Sequence, residues 1–267
     1  MTYEEYDALP GLRASHLKKG LKSMAHMHAA VLGKIPTPSS ALRFGSLFHA
    51  ALLEPSVFAQ NAVVWQGGSK VKFPKQWRAF QEEHDRRWIL DDADEQAALM
   101  AMSVNVHANP DAHRLIANSR HEVVRQWQID GVGPCKCKLD GLGPEGFIEL
   151  KSTTADDKPQ FFAQCERLGY FIQLGWERLA VKDETQNGWV ISVQNREPYW
   201  VGVFQIPETI LRDGEREAIR IARDYRTCEA MGKYPGPCEG IQQFERAGWV
   251  GGEDGAIPSD EMEASEL

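Results

Sequence analysis

Residues 135–154 read CKCKLDGLGPEGFIELKSTT and decide the fold. Glycines and a proline in the middle predict a chain reversal, so we expect an antiparallel hairpin with its turn at residues 141–146. Side chains alternate along a strand, which places Glu149 and Lys151 on one face and their apolar neighbours on the other. In this register Asp140, which ends the first strand, approaches Glu149. The stretch therefore predicts two carboxylates and one ammonium close together in a β-sheet.

Such a cluster is costly unless it has a chemical use. Two nearby carboxylates repel each other unless a cation lies between them. A buried lysine is unfavourable unless its ammonium contacts a phosphate or a water. Carboxylate oxygens suit Mg²⁺ or Mn²⁺, and such ions bind a scissile phosphate and activate water. Lys151 would then orient that water or stabilise charge on the phosphate.

A surface salt bridge is the alternative interpretation of the Glu-x-Lys triplet. A similar triplet occurs at residues 156–158, in a polar segment where solvated charges are expected. The triplet at residues 149–151 differs because it lies in an apolar strand that follows an Asp and a glycine-rich turn. This context favours metal-dependent phosphodiester cleavage.

Composition limits the class of protein. The chain has 267 residues, of which 42% are hydrophobic, enough for one elaborated domain or two small ones. Five cysteines without a CxxC pair argue against a disulfide framework and a four-cysteine zinc site, and Cys135 and Cys137 are expected in the core. The N-terminus is acidic and the chain lacks a long apolar run, so the sequence supports neither a signal peptide nor a membrane span. We therefore expect a cytoplasmic protein.

The net charge of −8 at first disfavours a polyanionic partner. Residues 250–267 contain six acidic and no basic side chains, so residues 1–249 carry 30 basic and 32 acidic side chains, a net charge of −2. A nearly neutral body with local basic patches can bind nucleic acid. We expect residues 250–267 to form a disordered acidic tail.

Periodicity and breakers predict an α/β fold with a mixed central β-sheet flanked by helices. The first 249 residues are expected to form one domain, with an N-terminal helical elaboration over about residues 1–120 and a catalytic core over about 121–235. Predicted helices cover residues 15–28, 42–52 (stopped by Pro55), 77–88, 91–107, 111–119, 159–182 and 207–231. Predicted strands, besides the hairpin, cover residues 122–129, 188–193 and 199–205.

Two further residues are candidate metal ligands, each with an alternative. His49 lies in an otherwise apolar helix, where a lone histidine is usually a satisfied core residue, and only pairing with the acidic hairpin makes it a ligand. Glu122 opens the alternating strand before the hairpin, where it faces either the metal or solvent.

Other residues are candidates for DNA contact. Lys70 and Lys72 lie in a glycine-bearing loop with interleaved aromatic residues, which suits a phosphate backbone and a base face. A solvated loop leading into a helix explains the same pattern. Tyr170 and Gln173 are one helical turn apart and can reach a nucleotide, although packing is the alternative for Tyr170.

With these residues in view, the chain resembles the PD-(D/E)XK nuclease superfamily. More narrowly, it is similar over most of residues 2–235 to the phage-type RecE group, the nuclease domain of exodeoxyribonuclease VIII. Four segments carry the resemblance in order: RFGSLFH at residues 43–49 with LEP at 53–55, CKCKLD at 135–140, ELKSTTAD at 149–156, and YFIQ at 170–173.

The resemblance implies a restriction-endonuclease-like core and a set of roles. His49, Asp140 and Glu149, with the backbone carbonyl of Leu150, would bind Mg²⁺, for which Mn²⁺ can substitute. Lys151 would assist the attacking water, and Glu122 would be an additional ligand. Residues expected to contact DNA are Arg43, Ser46, Lys70, Lys72, Thr153, Tyr170 and Gln173. The family's QxxxY element has Glu177 in place of its tyrosine here, so that tyrosine's DNA contact does not transfer.

The resemblance also implies an activity, the processive 5′-to-3′ degradation of one strand of linear double-stranded DNA in recombination by annealing. It further implies a single-strand annealing protein as partner and a homo-oligomeric ring around DNA. A phage-encoded protein would act in the host cytoplasm. Two alternatives remain. One is an endonuclease or single-strand-specific nuclease on the same fold, and the other is a non-catalytic module that binds DNA ends.

Overall fold

The structure is a computed structural model that describes residues 3–34, 40–85 and 87–242. It divides into two compact units, Met1–Pro237 and Cys238–Leu267. The first unit contains all helices and strands of the described residues. The predicted acidic tail and its predicted disorder lie outside the described residues.

Helices dominate the chain up to residue 117, and the five strands of the central sheet follow from residue 120, together with three helices. The helices are α1 (Tyr3–Ala8), α2 (Ala14–Gly20), α3 (Met24–Val31), α4 (Ser40–Leu53), α5 (Pro55–Asn61), α6 (Pro74–Glu83), α7 (Ala93–Ala108), α8 (Pro110–Ala117), α9 (Lys158–Arg167), α10 (Tyr170–Val181) and α11 (Glu208–Met231). The strands are β1 (Ala62–Val64), β2 (Trp88–Leu90), β3 (Arg120–Ile129), β4 (Gly133–Gly143), β5 (Gly146–Thr153), β6 (Gly188–Gln194) and β7 (Val201–Gln205).

The central sheet has five strands in the order β3-β4-β5-β6-β7. Neighbouring strands are antiparallel except β5 and β6, which are parallel and joined by the crossover helices α9 and α10. A separate two-stranded parallel sheet pairs β1 with β2. The prediction of an α/β fold with a mixed central sheet is confirmed.

Helices cover both faces of this sheet. On one face, α2, α10 and α11 bury Leu17, Trp176 and Tyr225 in a single apolar cluster. On the other face, α4 and α7 bury Phe48 and Leu99 in a second cluster. Among the described residues, no helix has both the length and the apolar character needed to cross a membrane.

Strand β5 follows the predicted alternation. Phe147 belongs to the first apolar cluster, whereas Ile148 and Leu150 belong to the second. Glu149 and Lys151 therefore project from the face of Phe147, towards α10. Strand β5 thus has apolar residues on both faces and presents its charged pair where the strand nears its end.

One predicted helix boundary is confirmed and one predicted helix is divided. The helix predicted over residues 42–52 ends at Leu53, before Pro55, and Pro55 itself begins α5, because proline is favoured in a first helical turn, where its missing N–H is not needed. The helix predicted over residues 159–182 is divided into α9 and α10 at Gly169. Its φ of 65° lies in the left-handed region that glycine adopts without strain.

Other predictions fail on local details. The helix predicted over residues 15–28 is two helices, and the Ser23 side chain caps the second by accepting a hydrogen bond from the His26 N–H. Gly141 and Gly143 lie within β4, so the reversal is confined to residues 144–145. Strands β1 and β2 are not predicted from the sequence because each has only three residues.

Candidate active site

Glu149 and Lys151 form a buried ion pair on β5. The Glu149 side chain is almost fully buried, and its Oε1 accepts a hydrogen bond from Lys151 Nζ. Burial acts to lower the pKa of Lys151, but Glu149, Tyr170 and Asp140 outweigh it and hold the pKa above its ordinary value. The ammonium is therefore charged and fixed beside a carboxylate.

Asp140 and His49 meet beside this pair. Asp140, on β4, accepts a hydrogen bond from the Leu150 N–H at 2.7 Å, and its Oδ1 lies 3.1 Å from His49 Nδ1. His49 Nε2 lies 3.0 Å from the Leu150 carbonyl oxygen. The imidazole of His49 on α4 thus contacts both the Asp140 carboxylate and the Leu150 carbonyl of β5. The resemblance assigns both of these groups to the metal.

The electrostatics of this pair follow from burial and contact. Burial opposes ionisation of Asp140, but His49, Lys151 and the Leu150 N–H together lower its pKa below the ordinary value. Burial likewise disfavours the His49 imidazolium, but Asp140, supported by Glu149, raises the pKa of His49. Each group therefore stabilises the charged form of the other.

Glu122 completes a cluster of possible ligands. One ligand atom from each of His49, Glu122 and Asp140 lies within 4.8 Å of the others. The β3–β4 register pairs His121 with Gly141 and Val123 with Leu139, which leaves Glu122 across from Asp140. The backbone of Glu122 has a φ of 54°, a left-handed conformation that costs about 1–3 kcal/mol for a residue other than glycine.

The donor set fits a divalent cation. Carboxylate and carbonyl oxygens are ligands of Mg²⁺ and Mn²⁺, and an imidazole nitrogen favours the softer Mn²⁺. Asp140, Glu122, His49 and the Leu150 carbonyl provide such donors. Glu149 lies outside the 4.8 Å cluster, and its Oε1 bonds Lys151 and Gln173. The structure thus brings together three of the four predicted side-chain ligands directly.

Gln173, on α10, connects the charged residues. Its Nε2 donates to Glu149 Oε1 at 2.6 Å and to Glu177 Oε1 at 2.8 Å. Its Oε1 accepts from Lys18 Nζ at 2.9 Å and from Lys151 Nζ at 3.4 Å. The amide therefore presents its donor to two acids and its acceptor to two ammonium groups.

Sequence reasoning missed Lys18 as a site residue and noted Glu177 only as a departure from the family's tyrosine. Burial and the neighbouring Lys151 lower the pKa of Lys18 to about 8. Burial and Glu149 raise the pKa of Glu177, whose Oε2 has no hydrogen-bond partner in the described part of the chain. Gln173 and Glu177 are four positions apart, a spacing at which side chains on one helix meet. Lys18 and Gln173 are 155 positions apart, so no local pattern signals their contact.

Tyr170 lies at the same site. Lys151 Nζ is 4.6 Å from the centre of its ring and Lys18 Nζ is 5.3 Å from it. Cations at these distances are attracted to the face of an aromatic ring. The structure therefore places both Tyr170 and Gln173 against Lys151, and a direct DNA contact by either remains a prediction.

Three other predicted DNA contacts have partners within the protein. Arg43 pairs with Glu95 and, at 3.0 Å, with Asp91, and Lys70 also pairs with Asp91. The Thr153 side chain is buried, donates to Gln164 Oε1 at 2.8 Å and accepts from the Ala155 N–H at 3.0 Å. These contacts give Thr153 a structural role at the end of β5 and do not support a direct DNA contact by its side chain.

The two remaining residues are exposed. Ser46 Oγ donates to the Leu42 carbonyl oxygen within α4 at 3.1 Å. Lys72 is exposed, and none of the described residues forms an ion pair with its side chain. Lys70 Nζ lies 4.3 Å from the centre of a Trp77 ring, so the basic and aromatic residues of this loop do interleave.

The fold and the site define the class of protein. Residues 14–247 match the family described as "PDDEXK-like domain of unknown function (DUF3799)". This match spans most of the chain, so the chain belongs to that PDDEXK-like family and has a nuclease-like fold with a candidate divalent-metal site. No curated protein matches the chain.

Solved structures give a consistent picture of the fold. A protein from Eubacterium rectale, described as a "Putative exonuclease", has 13% sequence identity and a TM-score of 0.63, and the match covers 88% of this chain and 89% of that one. At this identity the likeness concerns the fold alone. SSO0001 has 13% identity and a TM-score of 0.29 over 66% of this chain and 85% of that one, which is too low to show a shared fold.

Proposed function

We propose that the protein is a metal-dependent DNA exonuclease of the RecE type, which degrades one strand of linear double-stranded DNA from its 5′ end. The observation that supports this proposal most is the position of the Glu149–Lys151 pair beside the cluster of His49, Glu122 and Asp140. A surface salt bridge would not be buried next to further ionisable groups, because desolvation opposes each charge.

The chain's own residues divide the chemical tasks. Asp140, Glu122, His49 and the Leu150 carbonyl would hold Mg²⁺, or Mn²⁺ in its place. When bound, the ion would polarise the scissile phosphate and lower the pKa of a bound water. Lys151 would orient that water and donate a hydrogen bond to the phosphate. Glu149 Oε1 bonds Lys151 and Gln173, and its Oε2 would complete the ligand set.

The test is digestion of end-labelled linear duplex with Mg²⁺, Mn²⁺ or EDTA, resolved by length over time. We expect stepwise shortening that requires the metal. Lys151→Ala and Glu149→Gln should lower the rate at least 100-fold, as typical for removal of a group that acts in the transition state. Lys182→Ala, an exposed change at the end of α10, is the matched control and should keep the rate. Full activity in Lys151→Ala would refute the assignment.

The same assay separates the alternatives. Cleavage of circular duplex would indicate an endonuclease, and digestion restricted to single strands would indicate a single-strand-specific nuclease. Metal binding without any cleavage would indicate a non-catalytic module that binds DNA ends. Labels at the 5′ and the 3′ end in parallel reactions report the polarity of digestion.

The biological setting belongs to the same proposal. A 3′ single strand left by 5′-to-3′ digestion would be the substrate of an annealing protein in recombination, in the cytoplasm of a phage-infected host. A closed homo-oligomeric ring would explain processivity. Sedimentation of the protein with and without duplex DNA tests the ring, and co-purification with the annealing protein tests the partner.

A further inference from the structure

We infer that an aromatic cavity beside Lys151 receives one unpaired nucleobase of the strand that is being cut. The cavity has a volume of about 520 Å³ and lies between α9, α10, strands β6 and β7 and the start of α11. Glu149 and Lys151 are among the residues that line it. This inference rests on the proposed function, because it assumes that the scissile phosphate binds at Lys151.

The walls of the cavity are aromatic. Phe161 and Phe204 stack with ring centres 5.6 Å apart, and Phe162 meets Phe204 edge to face at 5.3 Å. Phe162 leaves 43% of its surface exposed at the cavity, although burial is strongly favourable for a ring of this size. An exposed ring next to the candidate catalytic residues indicates a flat, apolar ligand rather than a closed core.

Lysines at different points of the cavity suit a nucleotide rather than a purely apolar ligand. Lys151 lines the cavity from β5, and Lys158 lines it from the first turn of α9, with its Nζ 5.3 Å from the centre of the Phe162 ring. Two cations that line one cavity with aromatic walls match a base flanked by backbone phosphates. Grooves that hold single strands combine the same elements.

Only an unpaired base can enter such a cavity, because a base in a duplex is stacked between its neighbours and paired with the opposite strand. Unpairing requires least energy where a base is already mismatched or single-stranded, and a strand end has a neighbour on one side only. The cavity would therefore favour strand ends over internal positions. It gives the proposed exonuclease a physical basis for end selection.

The experiment compares binding of two short single strands that differ only by an abasic residue next to the 5′ end. Binding is measured by fluorescence anisotropy with Ca²⁺ in place of Mg²⁺, so that cleavage is not needed for the readout. The wild-type protein should bind the intact strand about tenfold more tightly than the abasic strand, the factor expected for one stacked base. Phe162→Ala should bind both strands equally, at the weaker level.

Two control variants make the result interpretable. Phe162→Tyr keeps the ring and should retain the tenfold preference. Met100→Ala, a change of an exposed residue on α7 on the other face of the sheet, should behave as wild type. Melting temperatures of all variants show whether each is folded. Phe162 is partly exposed, so Phe162→Ala is expected to fold.

The outcomes separate this inference from the proposed function. Equal binding of intact and abasic strands by the wild type, or an unchanged preference in Phe162→Ala, would overturn the cavity's assignment even if linear duplex is digested. A preference that depends on Phe162 in a protein that cleaves no DNA would support the cavity and refute the nuclease.

Discussion

The amide of Gln173 should be a major source of stability at the site. It is the only described partner of Glu177 in a side-chain hydrogen bond, at 2.8 Å, and Glu177 is 2% exposed. The same amide bonds Glu149, Lys18 and Lys151. Leucine has a similar volume and no polar atom, so Gln173→Leu would leave a buried acid without any described hydrogen bond.

The expected cost follows from the burial of Glu177, whose pKa is raised by burial and by Glu149. A buried polar group that loses its hydrogen-bond partner costs about 1–3 kcal/mol. The lost hydrogen bonds to the charged side chains add about 1.5–3 kcal/mol. We expect Gln173→Leu to lower the free energy of unfolding by about 3 kcal/mol. Gln173→Leu combined with Glu177→Leu removes the unpaired acid and should recover about 1–2 kcal/mol of this loss.

Urea unfolding in EDTA at pH 7, followed by tryptophan fluorescence, measures these free energies. The dependence on urea should stay the same in all variants, since the folded and unfolded states keep their surface areas. Gln128→Leu, on the exposed side of β3, is the control and should change stability by less than about 0.5 kcal/mol. A cost below about 1 kcal/mol for Gln173→Leu, or a double variant as unstable as the sum of the two single ones, would refute the reasoning.

Three other residues give shorter predictions. The pKa of Lys18 is about 8 in the folded state and 10.5 in the unfolded state. Between these pH values the unfolded state binds more protons, so the free energy of unfolding should rise with pH across this window, by roughly 3 kcal/mol at most. Lys18→Met should abolish that rise in urea titrations at pH 7.5 and 10. Glu122→Gly should relieve the backbone strain of the positive φ, so in EDTA its melting temperature should be no lower than that of Glu122→Gln. Both variants should lose the stabilisation by Mg²⁺. A lower melting temperature for Glu122→Gly than for Glu122→Gln would contradict the strain. Lys136→Met should cost about 3 kcal/mol, because the buried Lys136 ammonium donates to three backbone carbonyls, and an unchanged melting temperature would exclude this role.

The parts of the site that the sequence predicts are the local ones. Alternation with a period of two fixes the shared face of Glu149 and Lys151 without knowledge of the rest of the fold. A turn of known composition then fixes Asp140 beside them. His49 is harder, because nothing in an apolar helix distinguishes a ligand from a packed histidine, and only the resemblance to a family places it at the hairpin.

The parts that the sequence does not predict depend on distant contacts. Lys70 lies among aromatic residues, a pattern that favours DNA binding, and the resemblance implies a DNA contact for Arg43. Both side chains pair with Asp91 in the structure. Composition cannot distinguish a lysine that binds a phosphate from one that forms an ion pair within the protein. The contact between Lys18 and Gln173 likewise requires the packing of α2 against α10, which no local pattern encodes.

The N-terminal helices are part of the candidate active site rather than an addition to it. Besides Lys18, this segment supplies Leu12, whose N–H donates to the Pro134 carbonyl at 3.0 Å and whose carbonyl accepts from the Lys136 N–H at 2.8 Å. The Lys136 side chain in turn binds the backbone carbonyls of Tyr6, Asp7 and Leu9. Without residues 1–34, β4 would lose its contact with Leu12, the Lys136 ammonium would lose its three carbonyl acceptors, and Gln173 would lose one of its two cations. A core limited to residues 121–235 is therefore not expected to hold Glu149 and Lys151 in place, and the candidate active site depends on the N-terminal helices as well.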